Sequence, residues 1–137
     1  MATILIVDDE PSARTTLGLL LKKRSHRVTE VEGVAAALKA LTDDAFDVIV
    51  TDLRMPDGDG LDVLRAALLV ETPVIMVTGY GSAATRRLAL DEGAVGFLAK
   101  PFSAYELLEL VRNIVGDGSG PVTLPPPPGQ PRPGIHC

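Results

Sequence analysis

Acidic, hydroxyl and basic residues follow four short apolar segments of this sequence. Asp8 and Asp9 come directly after the first apolar segment, and Asp52 follows the third. Thr78 follows the fourth segment, and Lys100 comes shortly after the fifth. Three neighbouring carboxylates repel one another unless a cation lies between them, and Mg²⁺ prefers oxygen ligands of this kind. A carboxylate nucleophile, a divalent cation, an ammonium group and a hydroxyl group are the parts needed to hold a phosphoryl group during transfer.

The apolar segments are predicted to be β-strands. These predictions are Ile4–Val7, Val28–Val31, Val48–Thr51, Val74–Val77 and Val95–Leu98. The first, third and fourth are continuously apolar, which is typical of strands buried on both faces of a sheet. Strands that alternate with helices predict a doubly wound α/β fold with a five-stranded parallel sheet. Ligand sites of such sheets lie at the carboxyl ends of the strands, so the polar residues are expected to meet there.

Five helices are predicted between and after the strands. Pro11 suits the first turn of a helix, Ser82 an N-cap, and Gly93 a helix end. Ser103 and Glu106 have the spacing of a capping box. The apolar helix positions are Leu17, Leu20 and Leu21; Val34, Leu38 and Leu41; Leu61, Leu64, Leu68 and Leu69; and Leu107, Leu110, Val111 and Ile114.

The composition predicts one soluble domain followed by a tail. The 137 residues carry a net charge of −5 and show no basic stripe, so no nucleic-acid contact by this domain is expected. The lone cysteine, Cys137, and the lack of a signal peptide or a membrane-spanning apolar stretch favour a cytoplasmic protein without membrane contact. Residues 116–137 hold seven of the 11 prolines, which predicts a flexible or polyproline-like tail or linker after a domain at 1–115.

Each site residue also has an ordinary explanation. The acidic residues after the first strand could cap a helix, and Asp52 could begin a turn. Thr78 and Lys100 could be loop residues exposed to solvent. Only their joint occurrence at one edge of the predicted sheet favours the phosphoryl-transfer interpretation.

Four segments resemble receiver domains of two-component response regulators: Ile4–Glu10, Val48–Gly60, Val74–Gly79 and Phe97–Phe102. The resemblance extends from about residue 2 to 115. It implies a flavodoxin-like (βα)5 fold with strand order 2-1-3-4-5. The sequence of Thr78–Gly81 is similar to the corresponding segment in receivers of the nitrogen-regulatory class.

The resemblance also implies roles for individual residues. Asp52 would accept phosphate from a histidine kinase or a phosphotransfer protein. Asp8, Asp9, Asp52 and the backbone carbonyl of Arg54 would bind Mg²⁺, or Mn²⁺ in its place. Thr78 and Lys100 would bind the phosphoryl oxygens, and the Lys100–Pro101 peptide bond would be cis.

A conformational switch is implied at Thr78 and Phe97. Because Phe97 has no hydroxyl group, its switching would work through packing alone, and it could equally be an ordinary core residue. The surface expected to change on phosphorylation is formed by residues 82–115. It would bind an unidentified output protein or form a phosphorylation-dependent homodimer. Arg54 and Tyr80 would tune the access of water to the phosphoaspartate.

Other interpretations remain open for the whole chain. It could be a receiver cut from a larger transcriptional regulator, with the tail as the beginning of a linker. An aspartate-nucleophile phosphatase of the haloacid-dehalogenase type is disfavoured, because Asp8–Glu10 lacks the Asp-x-Asp pattern. Leu124–Pro128 could be a ligand for an aromatic groove.

Overall fold

The computed structural model describes residues 2–79 and 83–116. Five strands form one parallel sheet: β1 (Thr3–Val7), β2 (Arg27–Val31), β3 (Val48–Asp52), β4 (Val74–Thr78) and β5 (Gly96–Ala99). Their order is β2-β1-β3-β4-β5, which confirms the predicted doubly wound topology. The direction of winding reverses between β1 and β3, where ligand sites of such sheets lie.

Helices connect and follow the strands. They are α1 (Pro11–Lys22), α2 (Val34–Asp43), α3 (Gly60–Leu69), α4 (Ala83–Asp91) and α5 (Ala104–Val115). Pro11 occupies the first turn of α1, and Ser103 and Glu106 form both hydrogen bonds of the capping box at α5, as predicted. Helix α4 ends two residues before Gly93. The predicted N-cap Ser82 lies outside the described residues.

The two faces of the sheet bury separate hydrophobic clusters. Ile4, Ile6 and neighbouring strand residues pack with Leu21 of α1 and Leu107 of α5. On the other face, strand residues pack with α2, α3 and α4. Successive residues of a strand point to opposite faces, so continuous apolar strands supply both clusters. Every residue of β3 and β4 is buried.

Helix α3 differs from the sequence prediction in its exposed end. Leu61 and Leu64 are buried, but Leu68 is 46% exposed and Leu69 87% exposed. The buried face of α3 instead includes Val63 and Ala67, so the leucine spacing overstated the length of its apolar stripe. Leu38 of α2 is likewise at the surface, with 37% exposure.

The observed strand ends differ from the predicted ones by a single residue. Arg27 extends β2, Asp52 ends β3 as part of the strand, and β5 runs one residue later than predicted. Val95 precedes β5 and is 51% exposed, although its N–H donates to the carbonyl oxygen of Val74. No helix within residues 2–79 and 83–116 combines the length and apolar character needed to cross a membrane.

Candidate functional site

Four elements bring the predicted site residues to the carboxyl edge of the sheet. Asp8 follows β1, Asp52 ends β3, Thr78 ends β4, and Lys100 follows β5. Asp8 is 1% exposed and Asp52 is 9% exposed, so both carboxylates lie largely out of bulk water. A buried carboxylate needs hydrogen bonds or a cation, which makes the surroundings of this pair informative.

Local hydrogen bonds hold Asp8 in place. The Glu10 N–H donates to Asp8 Oδ1 at 2.9 Å, a short-range turn that aspartate readily forms just before a helix. Arg14, one turn into α1, donates from Nη1 to the Asp8 carbonyl oxygen at 2.7 Å. Side chain and backbone of Asp8 are therefore fixed by α1, and Asp8 Oδ2 is directed to a different partner.

Asp52 is fixed by the tight path of the chain after β3. The Leu53 N–H donates to Asp52 Oδ1 at 2.7 Å. The Gly60 N–H then donates to the Leu53 carbonyl oxygen at 2.6 Å, which brings the start of α3 against the end of β3. A Cβ atom at Gly60 would collide with the backbone carbonyl oxygen of Asp52, so only glycine permits this approach.

Lys100 bridges the two carboxylates. Its Nζ lies 3.1 Å from Asp8 Oδ2 and 3.0 Å from Asp52 Oδ2. Burial lowers the pKa of Lys100, but its hydrogen bonds and charge attraction to Asp52 and Asp8 outweigh that effect and raise the pKa above its usual value. Lys100 is therefore an ammonium ion at neutral pH. The Lys100 N–H donates to the Thr78 carbonyl oxygen at 2.8 Å, and the Lys100–Pro101 peptide bond is cis.

The donor set fits a hard divalent cation. One carboxylate oxygen from each of Asp8, Asp9 and Asp52 lies within 4.8 Å of the others. Three carboxylates and one ammonium group leave two negative charges, which a divalent ion would neutralise. Oxygen ligands of this kind suit Mg²⁺, and the exposed Asp9 leaves the cluster open to a hydrated ion.

Thr78 and Phe97 lie beside this cluster rather than within it. Asp52 pairs with Val77 in the sheet, so Thr78 is one residue further along β4. Strand alternation places Thr78 and Phe97 on the face covered by α4, the opposite face from Asp52. Thr78 is fully buried, and Phe97 is 8% exposed and belongs to the core cluster on the α4 side. Both residues therefore lie on the face of the sheet that α4 covers.

Arg54 lies in a short hairpin that follows β3. Arg54 and Met55 pair antiparallel with Gly58 and Asp59, and Arg54 is exposed. Tyr80, the other predicted tuning residue, lies outside the described residues.

Sequence reasoning missed two carboxylates in this hairpin. Asp59 Oδ1 accepts the Leu61 N–H at 2.8 Å and caps α3. Asp57 accepts two N–H groups from the first turn of α2, which is distant in sequence. The Asp-Gly repeat at residues 57–60 by itself indicates only a turn. The sequence feature that could have indicated the Asp57 contact is Gly33, the N-cap residue of α2, because glycine has no side chain that could cap the helix.

An open groove borders Lys100 on the α1 side. Its volume is about 400 Å³, and its lining includes Glu10, Leu17, Leu20 and Phe102. Apolar side chains line the groove together with the charged groups of Glu10 and Lys100. Lys100 in turn contacts Asp52 Oδ2 at 3.0 Å.

Comparison with known proteins identifies the class of this fold and site. A sequence model described as the response regulator receiver domain matches residues 4–112. The chain belongs to the response regulator receiver domain family, as its resemblance to two-component receivers predicted.

One full-length relative and two solved structures illustrate the likeness. The response regulator protein PilR of Pseudomonas aeruginosa is 41% identical over 109 residues, covering 78% of this chain and 24% of PilR. A sensor histidine kinase receiver domain from Pseudomonas aeruginosa, with a magnesium ion in its active site cleft, matches with a TM-score of 0.76. It is 28% identical, covering 84% of this chain and 98% of that one. The beryllofluoride-activated NtrC4 receiver domain dimer matches with a TM-score of 0.77 and 33% identity, covering 82% of this chain and 94% of that one. This chain therefore spans about a quarter of the length of PilR.

Proposed function

We propose that this chain is a signalling switch in which Asp52 accepts a phosphoryl group from a phosphohistidine. The observation that carries the proposal is the Lys100 ammonium, which bridges Asp8 Oδ2 and Asp52 Oδ2 at 3.1 and 3.0 Å. A cation placed between a nucleophilic carboxylate and a neighbouring carboxylate can stabilise the charge of a transferred phosphoryl group.

The reaction makes one bond and breaks another. An oxygen of Asp52 attacks phosphorus, an O–P bond forms, and the N–P bond of the phosphohistidine breaks with its electron pair going to the imidazole nitrogen. Lys100 turns from the carboxylates to a phosphoryl oxygen, and Thr78 donates its hydroxyl group to another. The donor residue belongs to a histidine kinase or a phosphotransfer protein, and the groove beside α1, which Lys100 borders, is its proposed approach to Asp52.

A divalent ion has a defined place in this proposal. Asp8, Asp9, Asp52 and the backbone carbonyl of Arg54 hold Mg²⁺, with Mn²⁺ as a substitute. When bound, the ion neutralises charge on the carboxylates and on the phosphoryl oxygens. The magnesium-bound receiver of similar fold supports this assignment.

Phosphorylation is transmitted through Thr78 and Phe97. A shift of the Thr78 side chain toward the phosphoryl group opens space on the α4 face, and Phe97 repacks into that space. The surface formed by α4, β5 and α5 changes and binds an output protein or a second copy of the chain. The dimeric, beryllofluoride-activated NtrC4 receiver supports the second copy as a candidate.

In a second form of this proposal, the chain is the receiver part of a longer protein that also contains the output domain. The chain spans 24% of PilR, so a receiver of a larger transcriptional regulator, with residues 116–137 as a linker, is consistent with the matched lengths. Both forms use the same Asp52 chemistry. The full reading frame of the gene distinguishes them.

The chain is proposed to be a phosphoacceptor rather than an enzyme with an external substrate. Loss of phosphate occurs by self-catalysed hydrolysis, which Tyr80 and the exposed Arg54 slow by shielding the acyl phosphate. The Arg54→Ala, Tyr80→Ala double variant should lose its phosphoryl group faster than the wild type. Equal decay rates would exclude this shielding, and repeated turnover of a generic phosphate ester would instead favour a phosphatase.

Beryllofluoride binding tests the proposal without covalent chemistry. With Mg²⁺, the wild type should give a bound ¹⁹F resonance, and Asp52→Asn should not. Size measurement of the same samples reports dimerisation. Absence of bound beryllofluoride on the wild type, or equal binding by Asp52→Asn, would refute the assignment of Asp52.

A further inference from the structure

Asp57 connects the hairpin after β3 to α2. The Val34 N–H donates to Asp57 Oδ1 at 2.9 Å, and the Ala35 N–H donates to Asp57 Oδ2 at 3.0 Å. Helix α2 receives no cap from its own N-cap residue, Gly33. Asp57 therefore satisfies two helix N–H groups that would otherwise need water, and it places a negative charge at the positive end of the helix dipole.

The geometry on the α2 side is matched to this contact. A Cβ atom at Gly33 would lie 2.7 Å from Asp57 Oδ1 and 2.9 Å from Asp57 Oδ2, closer than real contacts allow. With a Cβ atom at position 33, the Asp57 carboxylate would have to rotate away from the N–H groups of α2. Glycine at position 33 is thus required for the carboxylate to reach the helix.

The same hairpin is fixed at its other positions. Gly58 has a φ of +156° and lies so close to Val34 that a Cβ atom would be 3.0 Å from Val34 Cγ2. Asp59 caps α3 at the end of the hairpin. Between these fixed points, the antiparallel pairing of Arg54 with Asp59 sets the orientation of the Arg54 peptide. The hairpin is therefore held between α2 and α3.

We propose that Asp57 is a positioning residue for the divalent-cation site. By binding the first turn of α2, it fixes the hairpin that contains Arg54, whose backbone carbonyl is one of the ligands in the proposed cation site. This inference rests on the proposed function, since it needs a cation at that cluster. Asp57 contacts neither the cation nor the phosphoryl group, and it acts through the hairpin backbone.

The consequence is a preformed metal site. A hairpin released from α2 would sample other orientations, and the cation would then have to order it on binding. The apparent affinity for the cation equals the intrinsic affinity multiplied by the fraction of protein in the binding-competent conformation. We expect a loss of about threefold to tenfold in affinity, less than the roughly 10- to 100-fold loss from removal of a direct partner of a metal ligand.

Mn²⁺ alone is the probe, titrated into unphosphorylated protein and followed by the electron paramagnetic resonance signal of the free ion. The variants are Asp57→Ala, Gly33→Ala and the double variant. Gly33→Ala changes no charge, so it separates positioning from loss of a nearby negative charge. Asp47→Ala is the matched control, because Asp47 also accepts a backbone N–H, that of Thr3 at 2.8 Å, but lies at the opposite end of β3.

Both single variants should bind Mn²⁺ about threefold to tenfold more weakly than the wild type. The double variant should resemble Asp57→Ala, because both substitutions remove the same contact. Amide hydrogen exchange at Val34 and Ala35 should rise in each variant, and Asp47→Ala should bind Mn²⁺ as the wild type does. Wild-type affinity in Asp57→Ala or in Gly33→Ala, with faster exchange at these amides, would overturn the inference.

Acetyl phosphate separates this inference from the proposed function. A wild type that binds Mn²⁺ and accepts a phosphoryl group, together with variants of unchanged affinity, would contradict only the role of Asp57. A wild type that neither binds Mn²⁺ nor accepts a phosphoryl group would contradict the proposed function, and the role of Asp57 with it.

Discussion

Replacement of Lys100 by methionine perturbs the electrostatic balance of the site. Lys100 Nζ lies 3.0 Å from Asp52 Oδ2 and 3.1 Å from Asp8 Oδ2. Methionine keeps an unbranched side chain but removes the ammonium charge. Two largely buried carboxylates and the exposed Asp9 would then face one another without the Lys100 ammonium group between them.

The expected cost follows from these contacts. Removal of one partner of a buried ion pair costs about 3–5 kcal/mol. Because the Lys100 side chain is 26% exposed, water screens part of the interaction, and we expect the lower end of that range. A loss of about 3 kcal/mol in the free energy of unfolding lowers the Tm of a domain of this size by roughly 10 °C.

Mg²⁺ should reverse most of this loss. The ion supplies the missing positive charge, and in the variant it meets no competing ammonium group. When Mg²⁺ saturates both proteins, the stability difference shrinks by RT ln of the ratio of their Kd values, about 2.7 kcal/mol if the variant binds Mg²⁺ about 100-fold more tightly. The stability difference between wild type and Lys100→Met should therefore shrink as MgCl₂ is added.

Urea unfolding followed by far-UV circular dichroism, with and without MgCl₂, measures both effects. Lys39→Met is the control, because Lys39 pairs with Asp43 at 2.9 Å on the exposed surface of α2. We expect the control to leave the free energy of unfolding nearly unchanged, because exposed ion pairs contribute little to stability. Wild-type stability of metal-free Lys100→Met, or a stability difference that MgCl₂ leaves unchanged, would refute this description of the site.

Three further predictions concern stability and the phosphoacceptor. Gly60→Ala should cost about 1–3 kcal/mol and slow phosphorylation by acetyl phosphate, because the new methyl group displaces the Asp52 carbonyl. Ser103→Ala should cost about 1 kcal/mol through loss of the α5 cap, with phosphorylation retained. His26 Nδ1 accepts the Ala2 N–H at 3.1 Å, and burial lowers the His26 pKa below 6.5. The unfolded chain therefore binds more protons near that pH, so this stability is present above pH 6.5 and falls as the pH drops through the folded pKa.

Each of these predictions has a result that contradicts it. Gly60→Ala with wild-type stability and phosphorylation rate would show that the loop can move away from Asp52. Ser103→Ala should change the urea midpoint but not the phosphorylation rate, and the reverse would be incompatible with a capping role. Urea midpoints measured across this pH range should fall less steeply in His26→Gln, and identical slopes would exclude His26.

The fold was predictable because the amino-acid composition of each strand indicates whether that strand is buried on both faces of the sheet. Apolar runs such as Ile4–Val7 and Val74–Val77 can be buried only in a sheet covered on both faces. The convergence of Asp8, Asp52 and Lys100 followed from the same rule, since parallel strands bring their carboxyl ends to one edge.

Other features depended on tertiary contacts that no local pattern encodes. The exposure of Leu68 and Leu69 depends on where α3 leaves the core, and leucine spacing does not report that position. The contact of Asp57 with α2 joins residues more than twenty positions apart, through a loop whose sequence indicates only a turn. The one sequence feature that indicated this contact is Gly33, the N-cap residue of α2. Gly33 has no capping side chain, so the first N–H groups of α2 need a hydrogen-bond acceptor from elsewhere in the chain.

The central claim, that Asp52 is the phosphoacceptor, is tested most directly by intact mass after incubation with acetyl phosphate and Mg²⁺. The wild type should gain the mass of one phosphoryl group, removal of Mg²⁺ should abolish the gain, and Asp52→Asn should gain nothing. An unmodified wild type, or an Asp52→Asn variant that is phosphorylated to the same extent, would contradict the claim.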